Sequence, residues 1–143
     1  MTSVIVILDT NVVSEPMRSS PAEAVRAWWS QQQPGDLFIT AVTIAEILYG
    51  IELLPHGKRR VALLAGAELM FGKVLSGRIL PFDEEAARAF AAIAASRRGQ
   101  GRPITDLDAQ IAAIARSRGA TLATRNIADF EDCGIRVVNP WQP

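Results

Sequence analysis

The side chains able to do chemistry in this chain are mostly carboxylates, and they stand where predicted strands give way to helices. "VIVILDTNVVSEP", residues 4 to 16, runs five apolar residues into Asp9, with Thr10 and Asn11 directly behind it. "AVTIAE" after the second predicted strand brings Glu46, "TDLDAQIAA" opens a helix with Asp106 and Asp108, and "TRNIADF" after the fourth strand carries Asn126 and Asp129. Other chemistries have little to work with. The single histidine, His56, sits between Pro55 and Gly57, and the single cysteine is Cys133. A Ser–His–acid triad, a disulfide framework and a cysteine-ligated zinc site are therefore not indicated.

Each acid alone has a plainer explanation. Asp9 can cap the short helix that follows, since Asp, Thr and Asn are all favoured caps. Glu46 lies three residues after Thr43, and Asp108 three after Thr105, which is the capping-box spacing. Asp106 suits the positive end of a helix dipole, and Asp129 reads as a surface residue beside Phe130. Taken together they point elsewhere. Open α/β sheets gather ligands outside the carboxyl ends of their strands. Carboxylates converging there repel, by about 4 kcal/mol per pair at about 4 Å and an effective dielectric near 20. Such a group needs a cation or a shared proton. Oxygen donors without His or Cys favour Mg²⁺ or Mn²⁺, and these ions acidify water and polarise phosphoryl oxygens.

The elements that must position these acids follow from patterning. Strands are predicted at 4–8, 37–40, 78–82, 120–124 and 135–139, from short apolar runs bounded by turn residues. Helices are predicted over 12–17, 21–33, 43–54, 58–76, 84–98 and 105–118, with Asp83 capping the fifth and Gly119 stopping the sixth. Alternation of this kind means a parallel sheet with helices on both faces. No repeat, low-complexity stretch or linker interrupts it, so residues 1–143 read as one α/β domain.

The composition is that of an ordinary globular protein, with 49% apolar and 21% charged residues in a chain of 143. Zero formal net charge argues against gripping nucleic acid by bulk charge. No apolar run approaches the roughly 18–20 residues of a membrane span. The expectation is a soluble, cytoplasmic protein.

In order, "LDTNVVSEP" with Asp9, "TIAEILYGI" with Glu46, "GRILPFD" at 77–83, "DAQIAA" from Asp108, "LATRNIADF" at 122–130 and the tail "VVNPW" resemble the PIN-domain ribonucleases. Within these, the chain is similar to the VapC toxins of bacterial type II toxin–antitoxin modules, in their FitB-like branch. The resemblance implies a three-layer α/β/α sandwich around a central, mainly parallel five-stranded sheet. It implies a Mg²⁺- or Mn²⁺-dependent endoribonuclease leaving a 3′-hydroxyl and a 5′-phosphate. It makes Asp9, Glu46 and Asp108 the catalytic, metal-binding acids, and Thr10, Asn11, Thr124 and Asn126 their supports. Many PIN domains have a fourth acid directly after the "TR" of strand four. This chain has Asn126 there, which leaves the fourth ligand open between Asp129, Asp106 and none, and the number of metals with it.

The partners implied are RNA, a cognate antitoxin of the VapB or FitA kind, operator DNA only through that antitoxin, and a second copy in a homodimer. Trp28 and Trp29, adjacent on one helix, cannot both enter one core. With Ile47, Leu48, Tyr49 and Ile51 they suggest a groove for the antitoxin, core packing being the simpler account for most of these apolar residues. Arg97, Arg98, Arg102, Arg116, Arg118 and Arg125 are phosphate contacts or solvated surface with equal reason. A second role for the whole chain is corepressor in a DNA-bound complex. A nucleotide-binding or phosphatase domain is disfavoured by the lack of a GxxxxGK[ST] or a strand-following GxGxxG motif.

Overall fold

The computed structural model describes residues 4–143. Five short strands, β1 Val6–Leu8, β2 Leu37–Thr40, β3 Ile79–Leu80, β4 Thr121–Ala123 and β5 Arg136–Val138, form one sheet in the order β3-β2-β1-β4-β5. Every pairing is parallel: Val6 stands opposite Leu37 and Thr121, Ile39 opposite Ile79, and Thr121 opposite Arg136. The helices are α1 Thr10–Ser14, α2 Glu23–Ser30, α3 Ala41–Glu52, α4 Lys58–Leu69, α5 Glu84–Gly99 and α6 Asp106–Ser117.

A strand turns alternate side chains to opposite faces, and here both faces are apolar. Val6 and Leu8 enter one core with Leu37, Ile39 and Ala123, under residues of α1 to α4. Ile7, Phe38 and Leu122 enter a second core, under α5 and α6. That two-sided burial is why β1 reads as an unbroken apolar run, and it yields the expected layers, with a sheet that is wholly parallel. On α6, Ala109 and Ile111 to Ala115 are all buried, and the small side chains let the helix lie close along α5. No helix among the described residues is long and apolar enough to cross a membrane.

Four helices depart from the sequence reading at their boundaries. The first begins at Thr10, directly behind its cap Asp9, and passes into a 3-10 turn at Glu15–Met17. The third helix begins at Ala41, because the buried Thr40 hydroxyl accepts from Thr43 N–H at 3.0 Å and is the cap. Thr43 is therefore not the cap, and Glu46 lies in the second turn. The second helix begins at Glu23, leaving Pro21 ahead of it. The fourth helix ends its α-helical part at Leu69 and passes through a π-helical turn, Met70–Val74, that carries Met70 and Phe71 into the first core. Asp83 caps α5 as expected, accepting from Ala86 N–H at 3.0 Å.

The close approach of α6 makes its alanines sensitive to size. Ala113→Leu is expected to cost about 1–3 kcal/mol through overpacking. The expected reading is a lower urea midpoint at unchanged slope.

Candidate functional site

The chain runs from β1 outward to β2 and β3, then crosses back to β4 and β5 on the other side of β1. Strand order therefore reverses between β1 and β4, where a parallel sheet opens a crevice at its carboxyl ends. Asp9 follows β1 there and is buried. Its Oδ1 accepts from Thr10 N–H at 2.9 Å, the capping bond of α1, and its Oδ2 accepts from the Thr124 hydroxyl at 2.7 Å. Capping and site geometry are thus properties of one carboxylate, using different oxygens.

Thr124, fully buried at the end of β4, accepts in turn from Asn126 N–H at 3.1 Å. Asn11 Nδ2 stands 3.5 Å from both Asp9 Oδ2 and Thr124 Oγ1, and its Oδ1 accepts from Arg125 N–H at 3.2 Å. Asn126 contributes its backbone, its side chain being exposed.

Glu46 arrives from α3 and accepts from the Thr10 hydroxyl at 2.9 Å, so Thr10 serves two acids, one with its backbone and one with its side chain. Asp108 sits in the first turn of α6, its N–H donating to Thr105 Oγ1 at 3.3 Å. Burial pushes all three carboxyls above the ordinary range. Hydrogen bonds from Thr124 and Thr10 oppose this at Asp9, as Thr10 does at Glu46 and Thr105 at Asp108. Mutual repulsion adds to the rise: Glu46 feels Asp9 and Asp108, Asp108 feels Asp9 and Asp129, and Asp9 feels Asp129. The charges share one field without closing on a point, since among the described residues no three His, Cys, Asp or Glu side chains form a ready-made metal cluster.

Asp129 is exposed, and its charge reaches the site; Asp106 is exposed too, but is not among the charges acting on the three acids. The sequence reading missed the residue that holds the Asp129 segment. Arg97 is buried at 5% exposure, donating to the carbonyls of Arg102 at 2.8 Å and of Asp129 and Glu131 at 3.0 Å each. Its charge also offsets part of the rise at Asp108. The signal was present: Arg97 lies four residues after the buried Ile93, on the inward stripe of α5. Arg102 pairs with Glu131 and Asp132, and Arg118 with Asp83, so neither has the unpaired guanidinium that the phosphate reading required.

The single groove expected from the tryptophans is two. Trp29 lines one of about 390 Å³ with Val25, Met70 and Val74, while Trp28 is buried. Ile47 and Ile51 line another of about 740 Å³ with Leu54, Arg59 and Leu63, which ends on Thr10 and Glu46. Tyr49 is exposed and lines neither.

The model of the PIN domain matches residues 6–134. The chain is 39% identical over 138 residues to "VapC ribonuclease Y4jK" of Sinorhizobium fredii, covering 96% of this chain and 99% of that one. It is 39% identical over 136 residues to "Toxin FitB" of Neisseria gonorrhoeae, covering 95% and 98%. Its fold superposes on the structure of FitAB bound to an IR36 DNA fragment with a TM-score of 0.90 at 38% identity, over 97% of each chain.

The raised carboxyls set a sign for pH dependence. A carboxyl that keeps its proton longer when folded opposes folding once ionised, so stability falls as pH rises from the unfolded pKa through the folded one. The window opens in the ordinary carboxylate range, at about pH 4, and extends upward. In EDTA, the triple variant Asp9→Asn, Glu46→Gln, Asp108→Asn is expected to gain melting temperature relative to the parent as pH rises from about 4 to 8. A difference that does not widen across that range would contradict the shifts.

Proposed function

This chain belongs to the PIN-domain family, and we propose that it is the toxin of a type II toxin–antitoxin module, an endoribonuclease that works with a divalent cation. One observation carries the reading: three acids from three separate elements, Asp9, Glu46 and Asp108, share one electrostatic field at the β1–β4 crevice. The donor set is oxygen only, and its negative charge is destabilised by burial, which fits a hard cation. Asp9, Asp108 and Glu46 would hold it, with Asp129 as the fourth candidate. The bound ion, Mg²⁺ or Mn²⁺, supplies Lewis-acid polarisation of the phosphodiester and a more acidic water.

The chain's own residues orient the acids. Thr124 and Thr10 hold the two oxygens of Asp9 in fixed directions, and Thr10 ties Glu46 to the same point. Asn11 and Asn126 brace Thr124 and the start of the Arg125 segment. Arg97 keeps the turn bearing Asp129 against α5.

The partner is a cognate antitoxin. The groove of Ile47, Ile51 and Leu63 suits an apolar segment of it, because the groove's end at Thr10 and Glu46 would let an occupant cover the acids. Operator DNA is then reached only through that antitoxin. A homodimer, one PIN domain spanning the chain and a cytoplasmic location complete the reading. A corepressor with little nuclease activity of its own is not favoured, since the relatives include a named ribonuclease.

RNA cleavage by the purified chain in Mg²⁺ is expected to fall at least about 100-fold in Asp9→Ala and in the milder Asp108→Asn, equivalent to about 2.7 kcal/mol of transition-state stabilisation. EDTA is expected to abolish cleavage and added Mg²⁺ or Mn²⁺ to restore it. Cleavage undiminished by both chelation and substitution would overturn the metal assignment. Separately, Ala62→Arg on the groove's α4 rim is expected to leave cleavage intact while weakening inhibition by the antitoxin at least tenfold, about 1.4 kcal/mol. The measurement is the antitoxin concentration that halves the cleavage rate.

A further inference from the structure

One cation stands at the carboxyl end of β4 without serving the acids. Arg125 follows Thr124 directly, and its N–H is bound to Asn11 Oδ1 at 3.2 Å, the same Asn11 whose Nδ2 faces Asp9. Its backbone is therefore one residue from the hydroxyl that holds the Asp9 carboxylate. Its side chain is engaged by an aromatic ring. The guanidinium lies over the Trp141 ring, 4.9 Å from the centroid. Among the described residues it makes no ion pair, although it is exposed, and it is absent from the charges that relieve Asp9, Glu46 or Asp108.

Trp141 is a firm platform. It is half-buried and packs against the first core, and its backbone N–H donates to Asn139 Oδ1 at 2.9 Å. A guanidinium that lies over an aromatic ring spends its face on the ring and keeps its in-plane N–H groups for another partner. That planar fork matches two oxygens of a phosphate. The indole gives this guanidinium a partner other than a carboxylate.

We propose that Arg125, held over Trp141, binds a backbone phosphate of single-stranded RNA next to the bond that is cleaved. This rests on the ribonuclease reading above. Arg125 is the binding residue, and Trp141 positions it. Because a phosphate carries no sequence information, the contact strengthens binding to every RNA alike.

The test uses the full chain carrying Asp108→Asn, so that RNA is bound but not consumed. A fluorescent single-stranded oligoribonucleotide is titrated at several salt concentrations. Adding Arg125→Ala is expected to weaken binding about tenfold and to lower the slope of log affinity against log salt by about 0.7, the value for one phosphate on a single strand. The loss should be equal for oligonucleotides of different sequence. Arg125→Lys should restore the slope while leaving affinity below the parent. Trp141→Leu should weaken binding less than Arg125→Ala, and have no effect once Arg125 is already alanine. An unchanged salt slope in Arg125→Ala, with the parent binding and cleaving RNA normally, overturns the proposal and leaves the ribonuclease reading intact. If the slope is unchanged but antitoxin affinity falls, the stacked arginine is an antitoxin contact and the proposal is equally overturned. A parent chain that neither binds nor cleaves RNA overturns the ribonuclease reading and this contact with it.

Discussion

A carboxylate taken out of water is costly unless donors replace the lost hydration, and the polar construction around the crevice answers that cost at Asp9. One oxygen closes the first turn of α1; the other draws the Thr124 hydroxyl from the neighbouring strand. The bond from Thr124 joins residues 115 apart in sequence, so it exists only when β1 and β4 are paired. Sheet assembly and site assembly are consequently one event. Thr10 extends the same tie to α3 through Glu46, and Asn11 extends it to the segment after β4.

The donors that make Asp9 tolerable do not make it comfortable. Burial still outweighs them, and Glu46 and Asp108 stand in the same position. A fold whose acids are held above their ordinary range by burial, within reach of one another's charge, carries an electrostatic load that a divalent cation would relieve. The cations present nearby do not remove it. Arg97 is buried and occupied with carbonyls, offsetting only part of the rise at Asp108, and Arg125 lies over Trp141. The second groove, running from Leu54 to Glu46, gives an apolar partner a route to the same place.

Much of this was legible in the residue order. The apolar run ending at Asp9 reads as a two-sided buried strand because both faces of a parallel sheet are covered, and both are. Asp83 was recognisable as a cap by its place before an alanine-rich helix. Thr43 misled, because it shares with Thr40 the chemistry of a cap, and only the turn of the chain out of β2 decides which hydroxyl faces the open N–H groups. The tryptophan pair read correctly in one respect: adjacent residues on a helix diverge by about 100°, a consequence of 3.6 residues per turn, and Trp28 is buried while Trp29 lines a groove. The groove expected to join them to Ile47 and Ile51 is instead a separate one. Arg97 and Arg98 are alike in sequence, and helical phase alone separates the buried one from the exposed one.

By itself, then, the sequence determined the alternation of strands and helices, the layer order that alternation requires, and the residue types available at each strand end, because local patterning follows from periodicity and from the backbone preferences of a few residues. Tertiary structure decided the rest. The reversal of strand order that puts Thr124 beside Asp9, the second turn rather than the first that carries Glu46 inward, and the distances that leave the carboxylates in a common field without touching all depend on how elements far apart in the chain are packed. No local preference encodes a distance between residues more than a hundred positions apart; only the closed packing of the two cores sets it.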